Sequence, residues 1–166
     1  MKNCVSLSML LLAAIGSGRG QAASSDRKLE VAKLAELLKE HQIERLEILH
    51  VSDTLRTVIA VTPETVREVS TYRVTVKKPE ETASQPGLLT ALKELELSKP
   101  GHATEVRWAI LFFDTTGKER FAVFLSRNGT DGFFEDMPIT LQGKLLAWSK
   151  GLIRAAFLQG APLPSS

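Results

Sequence analysis

Cysteine is close to absent: the 166-residue chain carries one, Cys4, and it precedes an apolar stretch from Val5 to Ile15. Lys2 ahead of that stretch and the small residues of Gly20-Gln21-Ala22 behind it have the pattern of a secretory signal, which predicts cleavage after Ala22. Eleven apolar-rich residues fall well short of the roughly twenty needed to span a bilayer, so no membrane anchor is expected. A lipid-bearing cysteine would follow the apolar stretch, and Cys4 does not. Without residues 1–22 the chain has no thiol, which excludes disulfides, thiolate metal sites and cysteine nucleophiles. A thiol-free exported chain points to a bacterial periplasm, or secretion, rather than to a disulfide-rich extracellular setting.

An excess of one charge is also missing. Lys2 and Arg19 leave with the signal, which brings the 21 basic residues of the chain level with its 19 acidic ones. With no long basic run there is no electrostatic ground for nucleic acid or an anionic membrane as partner.

Histidine is scarce. His41, His50 and His102 are never four residues apart, the spacing that sets two imidazoles on one helix face for zinc, so no metal site is expected. No Gly-x-Ser-x-Gly elbow supplies a hydrolytic serine. His50 and Asp53 are close enough to pair across a turn, and an ordinary turn interaction accounts for them. Gly129, Gly132 and Gly143 lack the spacing of a phosphate-cradling loop, so no nucleotide or other cofactor is expected. Asn128-Gly129-Thr130 fits a glycosylation sequon, but reads more simply as a tight turn.

What is present is patterning. Val31, Leu34, Leu37 and Leu38 recur at helical spacing between Asp26, a candidate N-cap, and about Glu40. The period changes to two from Ile43 to His50, and a second short strand is expected at Thr57–Val61. Thr62-Pro63-Glu64 opens a short helix to about Ser70, and Tyr72, Val74 and Val76 alternate with Arg73, Thr75 and Lys77 in a half-buried strand. Leu88, Leu89, Leu92 and Leu95 mark a helix that stops before Lys99-Pro100-Gly101. Two strands apolar on both faces follow, Glu105–Phe113 and Arg120–Ser126, joined by Asp114-Thr115-Thr116-Gly117. A short strand over Phe133–Ile139 and a closing helix with Leu141, Leu145, Trp148 and Leu152 on one face complete the pattern.

The expected fold is α+β: a largely antiparallel sheet of about five to six strands packed with about four helices. The domain plan is a signal at 1–22, a single domain at 23–159 and a frayed tail at 160–166. Strands apolar on both faces require helices on both, or a second molecule on one; helices on both is the simpler solution. Trp108 and Trp148 belong by the same reasoning to the core rather than to an interface.

Acidic residues gather in and after the hairpin turns. Asp114, Lys118, Glu119, Asn128, Asp131, Glu135 and Asp136 form the candidate binding surface: charged tips on a rigid sheet can enter a basic cleft of another protein. The pattern lacks the ligand alternation of a calcium loop. By elimination the reading is a non-catalytic protein-binding module of the inhibitor or immunity kind, acting as monomer or homodimer. A small periplasmic hydrolase using convergent carboxylates or His50 is the alternative from another class, and a module binding a small ligand beneath Trp108 is the third.

Overall fold

In a computed structural model of the chain, the described residues are 19–57, 59–79, 85–98 and 105–158. The apolar stretch of the expected signal, Cys4, His102, the Lys99-Pro100-Gly101 stop and the tail at 160–166 lie outside them. The elements run α1 (Arg19–Lys39), β1 (Ile43–His50), α2 (Val66–Val69), β2 (Tyr72–Lys77), α3 (Gln85–Lys93), β3 (Glu96–Ser98), β4 (Val106–Asp114), β5 (Glu119–Ser126), β6 (Asp131–Phe134), β7 (Met137–Gln142) and α4 (Leu145–Leu158).

The fold is α+β: the described residues form four helices on one antiparallel sheet of seven strands ordered β2-β1-β4-β5-β6-β7-β3. The count exceeds the expected five to six for two reasons. Phe133–Ile139 is a hairpin rather than one strand: Glu135 adopts a left-handed φ of 52° and the chain reverses between Phe134 and Met137. Glu96–Ser98, too short to show a period, becomes the edge strand β3 by pairing with β7. Leu141 accordingly lies in β7, and α4 starts at Leu145.

Among the described residues of the Thr57–Val61 stretch no strand is formed. The chain after Val51 crosses the sheet as a loop whose carbonyls at Ser52 and Leu55 accept hydrogen bonds from Arg107 Nη1, both at 3.2 Å, while Arg107 Nη2 donates to Glu105 at 2.6 Å. A buried guanidinium thus satisfies carbonyls of the loop ahead of the expected strand, and Val61 O accepts from the Val106 amide at 2.9 Å. The helix predicted from Thr62 shrinks to Val66–Val69, with Thr65 at the N-cap position but making no side-chain capping hydrogen bond. At the amino end, helix extends back through Asp26 to Arg19.

Both faces of the sheet are covered. On one face, Leu46 and Ile48, Trp108, Ile110 and Phe112, Val123 and Leu125, and Ile139 and Leu141 pack beneath α1, α3 and α4. On the other, Leu49, Ala109, Leu111, Ala122 and Phe124 pack beneath Val51, Val61 and Val66. Ala109 stands opposite Phe124 and Leu111 opposite Ala122. Each large side chain therefore faces a small one, which lets α2 and its loop lie close on that face. Trp108 is core as expected, and Trp148 packs against the same cluster while partly exposed.

Candidate functional site

Antiparallel order decides which predicted residues meet. The β4–β5 turn and the β6–β7 turn emerge at one end of the sheet, and the β5–β6 turn at the other. Asn128 and Asp131 are therefore separated from the rest of the predicted surface by the length of β5. Asp131 is occupied locally, accepting hydrogen bonds from Thr130 Oγ1 at 3.0 Å and Thr140 Oγ1 at 3.4 Å. Asp114 organises its own turn: one carboxylate oxygen accepts from the Thr116 amide at 2.9 Å, the Thr116 hydroxyl at 2.6 Å and the Lys118 amide at 3.0 Å. The Thr116 hydroxyl above all, then the two amides and Arg120, hold the Asp114 carboxyl below its ordinary value against the opposing effect of desolvation. Lys118 is exposed at the tip.

Glu119, Glu135 and Asp136 do converge. Together with Pro63, Glu64, Arg67, Ala122 and Phe124 they line a recess of about 250 Å³ between α2 and the sheet. Arg67 reaches Glu119 with both terminal nitrogens, Nη1 to Oε2 at 2.6 Å and Nη2 to Oε1 at 2.8 Å. This forked pair, first through its hydrogen bonds, raises the Arg67 pKa further.

Glu135 occupies the inner wall. Its amide donates to Ala122 O at 2.9 Å, and its Oε1 accepts from the Ala122 amide at 2.9 Å, so the side chain extends the β5–β6 ladder one step past Phe134. Burial pushes its carboxyl above the usual carboxylate range; the Ala122 hydrogen bond opposes this, and Glu119 and Asp136 add to it. Glu64 at the outer rim is held lower by the Thr62 hydroxyl. The recess thus brings four carboxylates to one guanidinium, and that guanidinium is already committed to Glu119.

Arg67 and Glu64 lie outside the binding surface expected from the hairpin turns, Glu64 being expected only in the opening of a short helix. Arg67 meets Glu119 across 52 residues of chain, a distance over which periodicity carries no signal.

His50 belongs to another place. Its ring stacks on Trp108 at 3.9 Å between centroids and lies 5.7 Å from Tyr72, which meets Phe157 edge-on at 5.2 Å. Asp53 forms an ion pair with Arg127 at 2.9 Å, so the two residues make no dyad. Among the described residues no group of three or more histidine, cysteine or acidic side chains is placed to hold a metal ion, and no helix is long and apolar enough to cross a membrane.

No protein-family model, curated protein or solved structure matches this chain.

Proposed function

We propose that this is an exported, non-catalytic protein-binding module of the inhibitor or immunity kind, whose acidic recess receives a lysine or arginine side chain of its partner. The observation that carries the reading is the convergence of Glu64, Glu119, Glu135 and Asp136 around the single, already paired Arg67. Carboxylates outnumber the cation there, and a partner's cation would lower the cost of ionising Glu135. At about 250 Å³ the recess is smaller than the roughly 300–1,000 Å³ of small-molecule pockets and suits one side chain. The signal-like pattern of Lys2, Val5–Ile15 and Gly20-Gln21-Ala22 supports export to the periplasm or beyond.

The test is capture from native extract by the immobilised protein, beside a Glu64→Gln, Glu135→Gln, Asp136→Asn triple variant that leaves the Arg67–Glu119 pair intact. One stoichiometric protein retained by the wild type, released by salt and lost with the variant, is the expected result. Equal retention by both proteins, or none by either, overturns it.

One observation favours a second reading, a hydrolase. Glu135 is biased toward its protonated form beside Glu119, which Arg67 holds by two hydrogen bonds, and an acid beside a carboxylate is the arrangement of acid–base pairs. Hydrolysis of a glycoside or ester abolished by Glu119→Gln would select that reading.

A further inference from the structure

The sheet ends on one side at β2, which pairs with β1 and, among the described residues, with no other strand. Lys78 donates its amide to Glu44 O at 2.7 Å. Antiparallel bonding alternates along a strand, so residues 76 and 74 also turn their backbone groups toward β1, while Arg73, Thr75 and Lys77 turn theirs outward. This is a six-residue edge of β-prone sequence, Tyr-Arg-Val-Thr-Val-Lys, with outward N–H and C=O groups along its length.

The side chains state what such an edge would accept. Arg73, Thr75 and Lys77 are exposed and point to one face, so that face of the edge is cationic. Lys77 stands directly opposite Arg45 on β1, a like-charged cross-strand pair that by itself is unfavourable. Arg45 lies 3.3 Å from Glu47 and its guanidinium sits over the Phe113 ring at 4.1 Å. On the opposite face Tyr72, Val74 and Val76 are only half-buried, and α4 ends beside Tyr72 with Phe157 47% and Leu158 80% exposed.

We propose that the outer edge of β2 takes an extended acidic segment of a partner protein as an eighth strand. Its carboxylates would alternate onto the Arg73 and Lys77 face, and its apolar residues onto the Val74 and Val76 face next to Phe157. Backbone pairing supplies affinity in this mode, and the alternation supplies selectivity. A second copy of this chain fits poorly. The register centred on Thr75, which pairs all three outward residues, sets Arg73 of each copy against Lys77 of the other. The inference does not depend on the acidic recess.

The probe is a labelled peptide of about ten residues alternating glutamate and valine, compared with its lysine–valine counterpart and titrated into the full-length protein. The glutamate peptide is expected to bind saturably, at least tenfold more tightly than the lysine peptide, and to slow hydrogen exchange at the Arg73, Thr75 and Lys77 amides. Thr75→Pro removes an outward N–H without touching the β1 ladder. It should weaken binding at least tenfold while the Val74 and Val76 amides stay protected, which verifies the fold. Arg73→Glu with Lys77→Glu should reverse the peptide preference. The proposal is overturned by absence of new protection at the three amides, by unchanged binding to Thr75→Pro, or by a free protein that dimerises through β2. Unchanged peptide binding by Glu135→Gln separates this edge from the recess.

Discussion

Glu135 combines a left-handed backbone, a half-buried carboxyl and a hydrogen bond that stands in for a strand carbonyl. Its folded-state pKa is raised, chiefly by burial. The folded state therefore favours the protonated form, so this contribution to stability is complete below the unfolded-state pKa and is lost as pH rises through the folded one. Glu135→Gln keeps an oxygen for the Ala122 amide and removes the charge. Thermal melts should show the variant at least as stable as wild type at neutral pH, with a flatter profile above about pH 4.5; a lower melting temperature at pH 7 would contradict this. His50 behaves in the opposite sense. Burial lowers its pKa, Asp53 opposes the shift, and Lys150 and Arg107 reinforce it. A base whose folded pKa is depressed contributes stability above its unfolded value of about 6.5, which is lost as pH falls toward the folded one. His50→Phe preserves an aromatic ring against Trp108 and should reduce the loss of melting temperature between about pH 6.5 and 5, measured by circular dichroism.

Strand pairing at β5 and β6 depends on a missing side chain. A Cβ on Gly132 would lie 1.9 Å from Phe124 O, an approach that no rotamer change can relieve because the obstacle is backbone. Gly132→Ala must push β6 from β5, disturbing the Phe124–Phe133 and Leu125–Gly132 pairing and with it the placement of Glu135. A loss of about 2–3 kcal/mol in urea denaturation is expected, with weakened partner capture through the recess. Gly129→Ala is a poorer probe, since it mixes a strained φ of 72° with contacts to Leu146 at 2.6 Å (Cδ2) and 2.8 Å (Cβ).

β4 and β5 supply both cores, one beneath α1, α3 and α4 and one beneath α2 and the Val51–Val66 segment. Neither layer can lose its order while the other keeps a complete sheet, so unfolding should be a single cooperative step. Trp108 and Trp148 both report on the three-helix side, whereas far-ultraviolet circular dichroism reports on the whole chain. Urea transitions followed by tryptophan fluorescence and by circular dichroism should coincide; an earlier loss of circular dichroism would mean that the α2 side opens independently.

Local order was legible wherever a period repeated often enough. The 3.6-residue spacing in α1 and α3, the alternation of β2, and the two-faced apolar runs of β4 and β5 all follow from which side chains must leave water. The short elements were not legible. β3 is a strand because β7 lies beside it, while the loop ahead of Thr57 is held by Arg107, about fifty residues away, through the Ser52 and Leu55 carbonyls. The candidate site divides in the same way. Sequence alone could place acids in turns, because turns face water, but strand direction decided that Glu119, Glu135 and Asp136 share one end while Asn128 and Asp131 occupy the other. Arg67 entered through the packing of α2 on the second face, a long-range event paid for by burial of Val66 rather than by any local preference. Composition and periodicity determined the class of fold and its buried faces; which charges meet was decided by the tertiary structure, since charge pairing acts through space and only the folded sheet brings those segments within reach.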